Sequence, residues 1–382
     1  MVSRPFWEER LAQAWKAASL VWLTGVRRVG KTTLIRGLSG ATYLNCDLPS
    51  AAAQLADPES FYAGLRTKLV LLDEVHQLPD PSRLLKIGTD TRPDLRILAT
   101  GSSTLAATRK FRDTLTGRKR SVHLVPVLAE ELAPFGVTRV EDRLFLGGLP
   151  EVLLAGRVDP EFRVEWLDSY FARDVQELFR VEKRGAFLLL AETLLRQSGG
   201  LLDATKLSRL VGVSRPTILS YLEALQVTQV VHVLRPFHGG RKRELLAQPK
   251  VYGFDTGFVV HARGWSDLRP EDLGRLWEHL VLDTLLALPE TTKVHFWRDR
   301  SQREIDFVLP RGRGACDALE CKWAPAAHDG RSLSAFRALH PKGRNYVIAP
   351  YVAEPYRRKS GGFEVTVTGA GALGALLTSG GA

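Results

Sequence analysis

Gly25-Val26-Arg27-Arg28-Val29-Gly30-Lys31-Thr32 follows the apolar run Leu20–Thr24 and opens a helical stretch. It is the GxxxxGK[ST] pattern in the strand–loop–helix setting that gives the pattern meaning. Glycines let backbone N–H groups fold around phosphate oxygens, and a helix N-terminus adds a favourable dipole. Lys31 would then neutralise β/γ-phosphate charge and Thr32 would hold Mg²⁺. Gly25, Arg28, Gly30 and Thr33 complete the expected ATP cradle.

The next informative run is Leu69-Val-Leu-Leu-Asp73-Glu74-Val-His76. Four apolar residues carry two carboxylates to a strand end. Asp73 is expected on the Mg²⁺ side and Glu74 against the attacking water, which favours hydrolysis over holding of the nucleotide. A further strand ends in hydroxyls at Ile97–Ser103, where Ser102 or Ser103 can sense the γ-phosphate; a serine so placed also serves as a helix cap. Five apolar runs, Leu20–Thr24, Thr42–Asp47, Leu69–Asp73, Arg96–Thr100 and Ser121–Val127, alternate mostly with helices or loops, as a parallel α/β sheet requires.

Composition sets the frame. The chain has 382 residues, 53 basic against 42 acidic side chains and a formal charge of +11, with 45% hydrophobic residues. Such a chain builds real cores, which excludes wholesale disorder, and its charge favours polyanionic partners. No apolar run approaches the ~18 residues of a membrane span. Cys46, Cys316 and Cys321 form no CxxC pair, so neither a disulfide framework nor a zinc site is expected. A cytoplasmic protein is the expectation.

The organisation divides into residues 1–127, an α/β core preceded by an amphipathic helix with Trp7, Leu11 and Trp15; 128–185, helical segments broken by glycine and proline; 186–255, two helical stretches and two strands; 256–370, a helix and four strands; and 371–382, a Gly/Ala-rich tail expected to fray. Within 186–255, Asp203-Ala-Thr-Lys through Gln226 has helix–turn–helix form: Asp203 and Ser214 as caps, Gly212 at the turn, Pro216 in the first turn of the second helix. That places Arg215, Thr217 and Ser220 near the exposed start of a recognition helix. The following hairpin carries Arg235, Arg241, Lys242, Arg243 and Lys250 against Glu244, a basic wing suited to DNA phosphates. The bland reading is a winged helix used as a connector.

Near the C-terminus, Asp306 lies in one strand and Glu320-Cys321-Lys322 in another. Residues two apart share a strand face, so Glu320 and Lys322 project together. Asp306 and Glu320 suit Mg²⁺ or Mn²⁺, Lys322 suits orientation of a water, and Glu278 on the preceding helix offers a third carboxylate. This D…ExK pattern resembles the PD-(D/E)XK nuclease fold; the competing reading is a degenerate site held by salt bridges such as Asp306–Lys322.

GVRRVGKTT, LVLLDEVHQLP, ILATGSS, LTGRKRSVHLVPV and GGLPEVL, in that order, resemble AAA+-type ATPases of the AAA_14/DUF4143 architecture over nearly the whole chain. The resemblance implies an α/β fold: a P-loop AAA+ core with a helical lid, then a winged helix and a restriction-endonuclease-like domain. It also implies a ring, taken as a hexamer, in which a neighbour's arginine completes each site. Arg118 is the candidate, with Arg112 or Arg120 as alternatives, and the basic run Arg109–Arg120 also reads as a solvated or DNA-facing loop. Arg173 is either a second sensor or a partner for Asp174. The functions expected are an ATP-driven motor on branched or single-stranded DNA in repair or recombination, with Holliday-junction branch migration as one version; a slow nucleotide-controlled switch gating a partner or defence effector; or a protein remodeller.

Overall fold

The computed structural model describes residues 2–101, 109–179, 181–238, 248–289, 291, 293–312 and 314–378. The first unit is a five-stranded parallel sheet: β1 Leu20–Thr24, β2 Thr42–Asn45, β3 Leu69–Asp73, β4 Arg96–Thr100 and β5 Lys119–His123, in the order β2-β3-β4-β1-β5. β1 is buried throughout, and β3 and β4 are buried at four of five positions. Continuous apolar runs of this kind arise when helices cover both faces of a parallel sheet. β4 lies between β1 and β3, so Leu98 is flanked by Val21 on one side and Leu71 on the other. Two strands begin or end away from their expected bounds: β2 stops at Asn45, and β5 runs Lys119–His123 where Ser121–Val127 was expected.

The middle unit is helical, with helices at Pro160–Tyr170, Arg184–Arg196, Ala204–Val211 and Arg215–Val227 and a π-helical segment at Phe171–Val175. Their starts follow capping chemistry. Asp159, Asp203 and Ser214 each accept a backbone N–H from the first turn, and Gly212 takes a left-handed φ of 74° at the turn between the last two helices. Short strands β6 Gly200–Leu201, β7 Val231–Pro236 and β8 Lys250–Gly253 pair antiparallel as β7-β8-β6.

The last unit has the helix Pro270–Ala287 and strands β9 His295–Arg298, β10 Glu304–Gly312, β11 Ala315–Cys321, β12 Asn345–Ile348, β13 Tyr356–Ser360 and β14 Phe363–Thr368, with the helix packed against β11. β7 pairs parallel with β9, so the middle and last units share one nine-stranded sheet, β13-β14-β12-β11-β10-β9-β7-β8-β6. The tail expected to fray from residue 371 is ordered through residue 378. Ala370–Thr378 is helical, because Ala370, Leu373 and Leu377 bury against the apolar cluster of helix Pro270–Ala287; residues 379–382 lie outside the described residues. A single apolar cluster runs from Val21 and Leu98 through Trp166 and Phe254 to Leu225, joining the parallel sheet to the middle helices.

Candidate functional site

A cavity of about 920 Å³ opens where β1 and β3 end. The loop contributes Gly25, Arg28, Gly30, Lys31, Thr32 and Thr33 to its wall, the neighbouring strand ends contribute Asp47, Glu74 and His76, and the middle unit contributes Trp166, Tyr170, Arg173, Asp174 and Thr228. Two positions demand glycine. Gly25 has φ +150°, and a Cβ there would lie 2.4 Å from the Leu124 carbonyl oxygen; Gly30 has φ +101°. Arg28 also sits in the left-handed region at φ 61°. Lys31 Nζ donates to the carbonyls of Gly25 at 2.8 Å and Val26 at 3.2 Å, so the ammonium is held on the loop that would cradle phosphate. Burial pulls its pKa below the usual value, opposed by Glu74, Asp174 and Asp73.

One hydroxyl organises the carboxylates. Thr100, at the end of β4, donates to Asp73 Oδ1 and accepts the backbone N–H of Glu74 at 3.0 Å. Tyr43 donates to the other oxygen of Asp73 at 3.0 Å, leaving Asp73 buried behind the cavity wall. Glu74 has φ 56°, an uncommon conformation for a side-chain-bearing residue, and it lines the cavity. Burial raises the Glu74 pKa, with Lys31 and His76 opposing. A partly buried ammonium, a hydroxyl at the helix start and two carboxylates fit a Mg–nucleotide: Thr32 would hold Mg²⁺, with Asp73 behind the wall acting through the ion's water shell, and the ion when bound neutralises charge on β/γ-phosphate oxygens.

The middle unit closes this cavity within the same chain. The Trp166 indole donates to the Arg27 carbonyl at 3.1 Å and stacks on Phe254 at 4.7 Å. Tyr170 and Thr228 share a hydroxyl hydrogen bond of 2.6 Å, and Gln229 donates to Thr24 at 3.1 Å. His123 of β5 faces His232 of β7 with ring centroids 5.8 Å apart. These contacts were not legible in the sequence, since nothing local marks residues 166, 170 and 228 as neighbours of the loop. Arg173 lines the cavity, and the Asp174 carboxyl, which also lines it, has its pKa raised by burial. Ser102 and Ser103 lie outside the described residues, as does the side chain of Arg112. Arg118 is exposed and donates to Asp90 at 2.7 and 3.2 Å.

The second group of carboxylates differs from the expected one. Glu278, Glu304 and Asp306 offer oxygens that all lie within 4.8 Å of one another. Glu320 is not in that group: it pairs with Lys322 at 3.1 Å and with His328 at 3.2 Å, and His328 in turn meets Ser360 at 3.0 Å. Glu304 was missed, although its position two residues before Asp306 on β10 was the available signal. Burial and Glu278 push the Asp306 carboxyl up to about 8, and its Oδ2 accepts the Cys321 N–H at 2.7 Å. Lys250, expected on a phosphate-binding wing, is instead 2% exposed and bonded to Glu278 and Glu304. It starts β8, whose four residues are all buried, so it cannot face DNA. With two of its three carboxylates already holding an ammonium, this group does not fit the metal site of a nuclease. Arg215 is exposed at the start of its helix; Arg241, Lys242 and Arg243 lie outside the described residues.

Residues 17–133 match the family described as AAA domain. Residues 137–269 and 273–366 match two families of unknown function, DUF8612 and DUF4143. The uncharacterized proteins Rv2008c of Mycobacterium tuberculosis and Mb2031c of Mycobacterium bovis are each 32% identical over 316 residues, 78% of this chain and 69% of theirs. Among solved structures, the McrB AAA+ hexamer with bound McrC of Thermococcus gammatolerans aligns with 66% of this chain and 74% of its own at 13% identity and a TM-score of 0.25. Among the described residues, no helix is long and apolar enough to cross a membrane.

Proposed function

Because the chain belongs to the family of AAA-domain ATPases with a DUF4143 module that includes its two mycobacterial relatives, we propose that it is an ATP-hydrolysing motor that binds and remodels DNA. The observation that carries the hydrolytic part is Glu74 at the cavity wall beside Lys31 and Thr32. Lys31 leaves the Gly25 and Val26 carbonyls to neutralise phosphate charge, and Glu74 polarises the attacking water. The DNA part rests on the helix Arg215–Val227. Its exposed basic start suits phosphate, while Thr228, just past its end, lines the nucleotide cavity. In this reading residues 186–255 act as a winged helix, 256–370 as a nuclease-like fold, and the protein works as a ring, a hexamer, with Arg118 leaving Asp90 to reach a neighbour's nucleotide. Branched or single-stranded DNA, as in a Holliday junction, suits contacts that track the backbone.

Steady-state ATP hydrolysis at fixed low salt, with and without single-stranded, duplex and four-way-junction DNA, tests it. Stimulation, greatest with one DNA form, is expected. An unchanged slow rate with all three overturns the motor in favour of a nucleotide-controlled switch with a non-catalytic C-terminal unit. The ammonium among the carboxylates of that unit favours the second reading on that one point.

A further inference from the structure

Lys250 is almost wholly withdrawn from water, at 2% exposure, yet its ammonium has acceptors for all three of its protons. It donates to Glu278 Oε1 at 3.0 Å, to Glu304 Oε1, and to the Tyr252 hydroxyl at 3.5 Å. Tyr252 in turn donates to the same oxygen of Glu278. The ring of Phe296 lies 5.5 Å from the ammonium and closes the apolar side of its surroundings. Each remaining carboxylate oxygen for which a contact is resolved is also engaged: Arg298 approaches Glu304 Oε2 at 3.4 Å, and the Cys321 N–H donates to Asp306 Oδ2.

A divalent cation held by the same three carboxylates would compete with Lys250 and Tyr252 for the charge of Glu278 and Glu304. It would also add two positive charges beside a buried ammonium and a guanidinium, where like charges repel. Removal of a charge from a buried group of this kind leaves its partners uncompensated. We infer that the Lys250 ammonium is the resident cation of the Glu278–Glu304–Asp306 cluster, standing where a nuclease of this fold would hold a metal ion. The cluster thereby ties β8 of the middle unit to β10 and to the helix Pro270–Ala287. The inference rests on reading 256–370 as nuclease-like only for the comparison with a metal site; the contacts themselves stand without it.

The test is a Mn²⁺ titration of the full chain without nucleotide, followed by electron paramagnetic resonance of the free ion. The wild-type protein is compared with Lys250→Met, Lys250→Met/Glu278→Gln and Asp306→Asn. Wild type and Asp306→Asn are expected to bind the same number of Mn²⁺ ions. Lys250→Met is expected to gain one ion at least tenfold tighter than any the cluster takes in wild type, and Glu278→Gln should abolish that gain. A wild-type site that Asp306→Asn removes overturns the inference, as does a folded Lys250→Met that gains nothing. Should Lys250→Met fail to fold, the comparison of wild type with Asp306→Asn decides alone. ATP turnover with DNA does not involve these residues, so the motor reading stands or falls separately.

Discussion

Glu74 pairs a left-handed backbone with a half-buried carboxylate, and its backbone N–H is held by the Thr100 hydroxyl. Strain of this kind, of order 1–3 kcal/mol, persists where neighbours over-determine it. Glu74→Gln keeps the shape and removes the base, so ATP should still bind while hydrolysis falls about 10²–10⁴-fold, as single-turnover assays would read. Lys31→Ala should abolish nucleotide binding, measurable with a fluorescent ATP analogue. Thr100→Val removes the donor to Asp73 and the acceptor for Glu74 together. A loss of about 1–3 kcal/mol and a drop in turnover are expected, and an unchanged melting temperature with full turnover would refute the role given to the hydroxyl. The loop residues that line the cavity were legible because they are contiguous in the chain and their spacing is itself the geometry. Glu304 and the meeting of Lys250 with Glu278 were not, since positions 28 and 54 residues apart meet only once the chain has folded.

The contact between β5 and β7 sets a pH dependence. Burial lowers the pKa of His123 to about 3 and that of His232 to about 4, with His232 and Lys31 adding to the effect on His123. Both rings are thus neutral in the folded protein, whereas the unfolded chain takes up protons below pH ~6.5. Stability from this pair is therefore complete above about 6.5 and is lost as pH falls toward the folded values. At pH 5 the loss should be about 2 kcal/mol per histidine, and His123→Gln/His232→Gln should flatten the melting-temperature profile between pH 7 and 5. The strands themselves were largely readable from unbroken apolar runs. β13 was overlooked because Tyr356-Arg-Arg-Lys-Ser360 carries the charges that suit an exposed sheet edge, not the alternation of a half-buried strand. The caps at Asp203 and Ser214 were readable for the opposite reason, being local chemistry that distant packing does not override.

At the scale of the molecule, cooperation between copies and between units can be separated. Arg118→Ala should lower ATP turnover in mixtures with wild-type protein by more than its share of the chains, since the proposed role acts on a neighbour; turnover that follows the mixing ratio removes the trans arginine. Within one chain, β7 bonds to β9 through the Arg235–His295 and Pro236–Phe296 pairs, and the Phe237 N–H continues the ladder to the Phe296 carbonyl at 2.6 Å. Calorimetry should accordingly show residues 184–378 melting in one transition, not two. The shared sheet also limits how the protein can be divided. A chain cut in the short gap after residue 269, where one family match gives way to the next, keeps every residue of the middle unit. It nevertheless strips β7 of its pairing with β9 and leaves the Lys250 ammonium with no counter-charge, a loss of about 3–5 kcal/mol for the ion pair alone. The boundary drawn by sequence families is thus no seam in the folded object, and the last two modules are expected to stand only together.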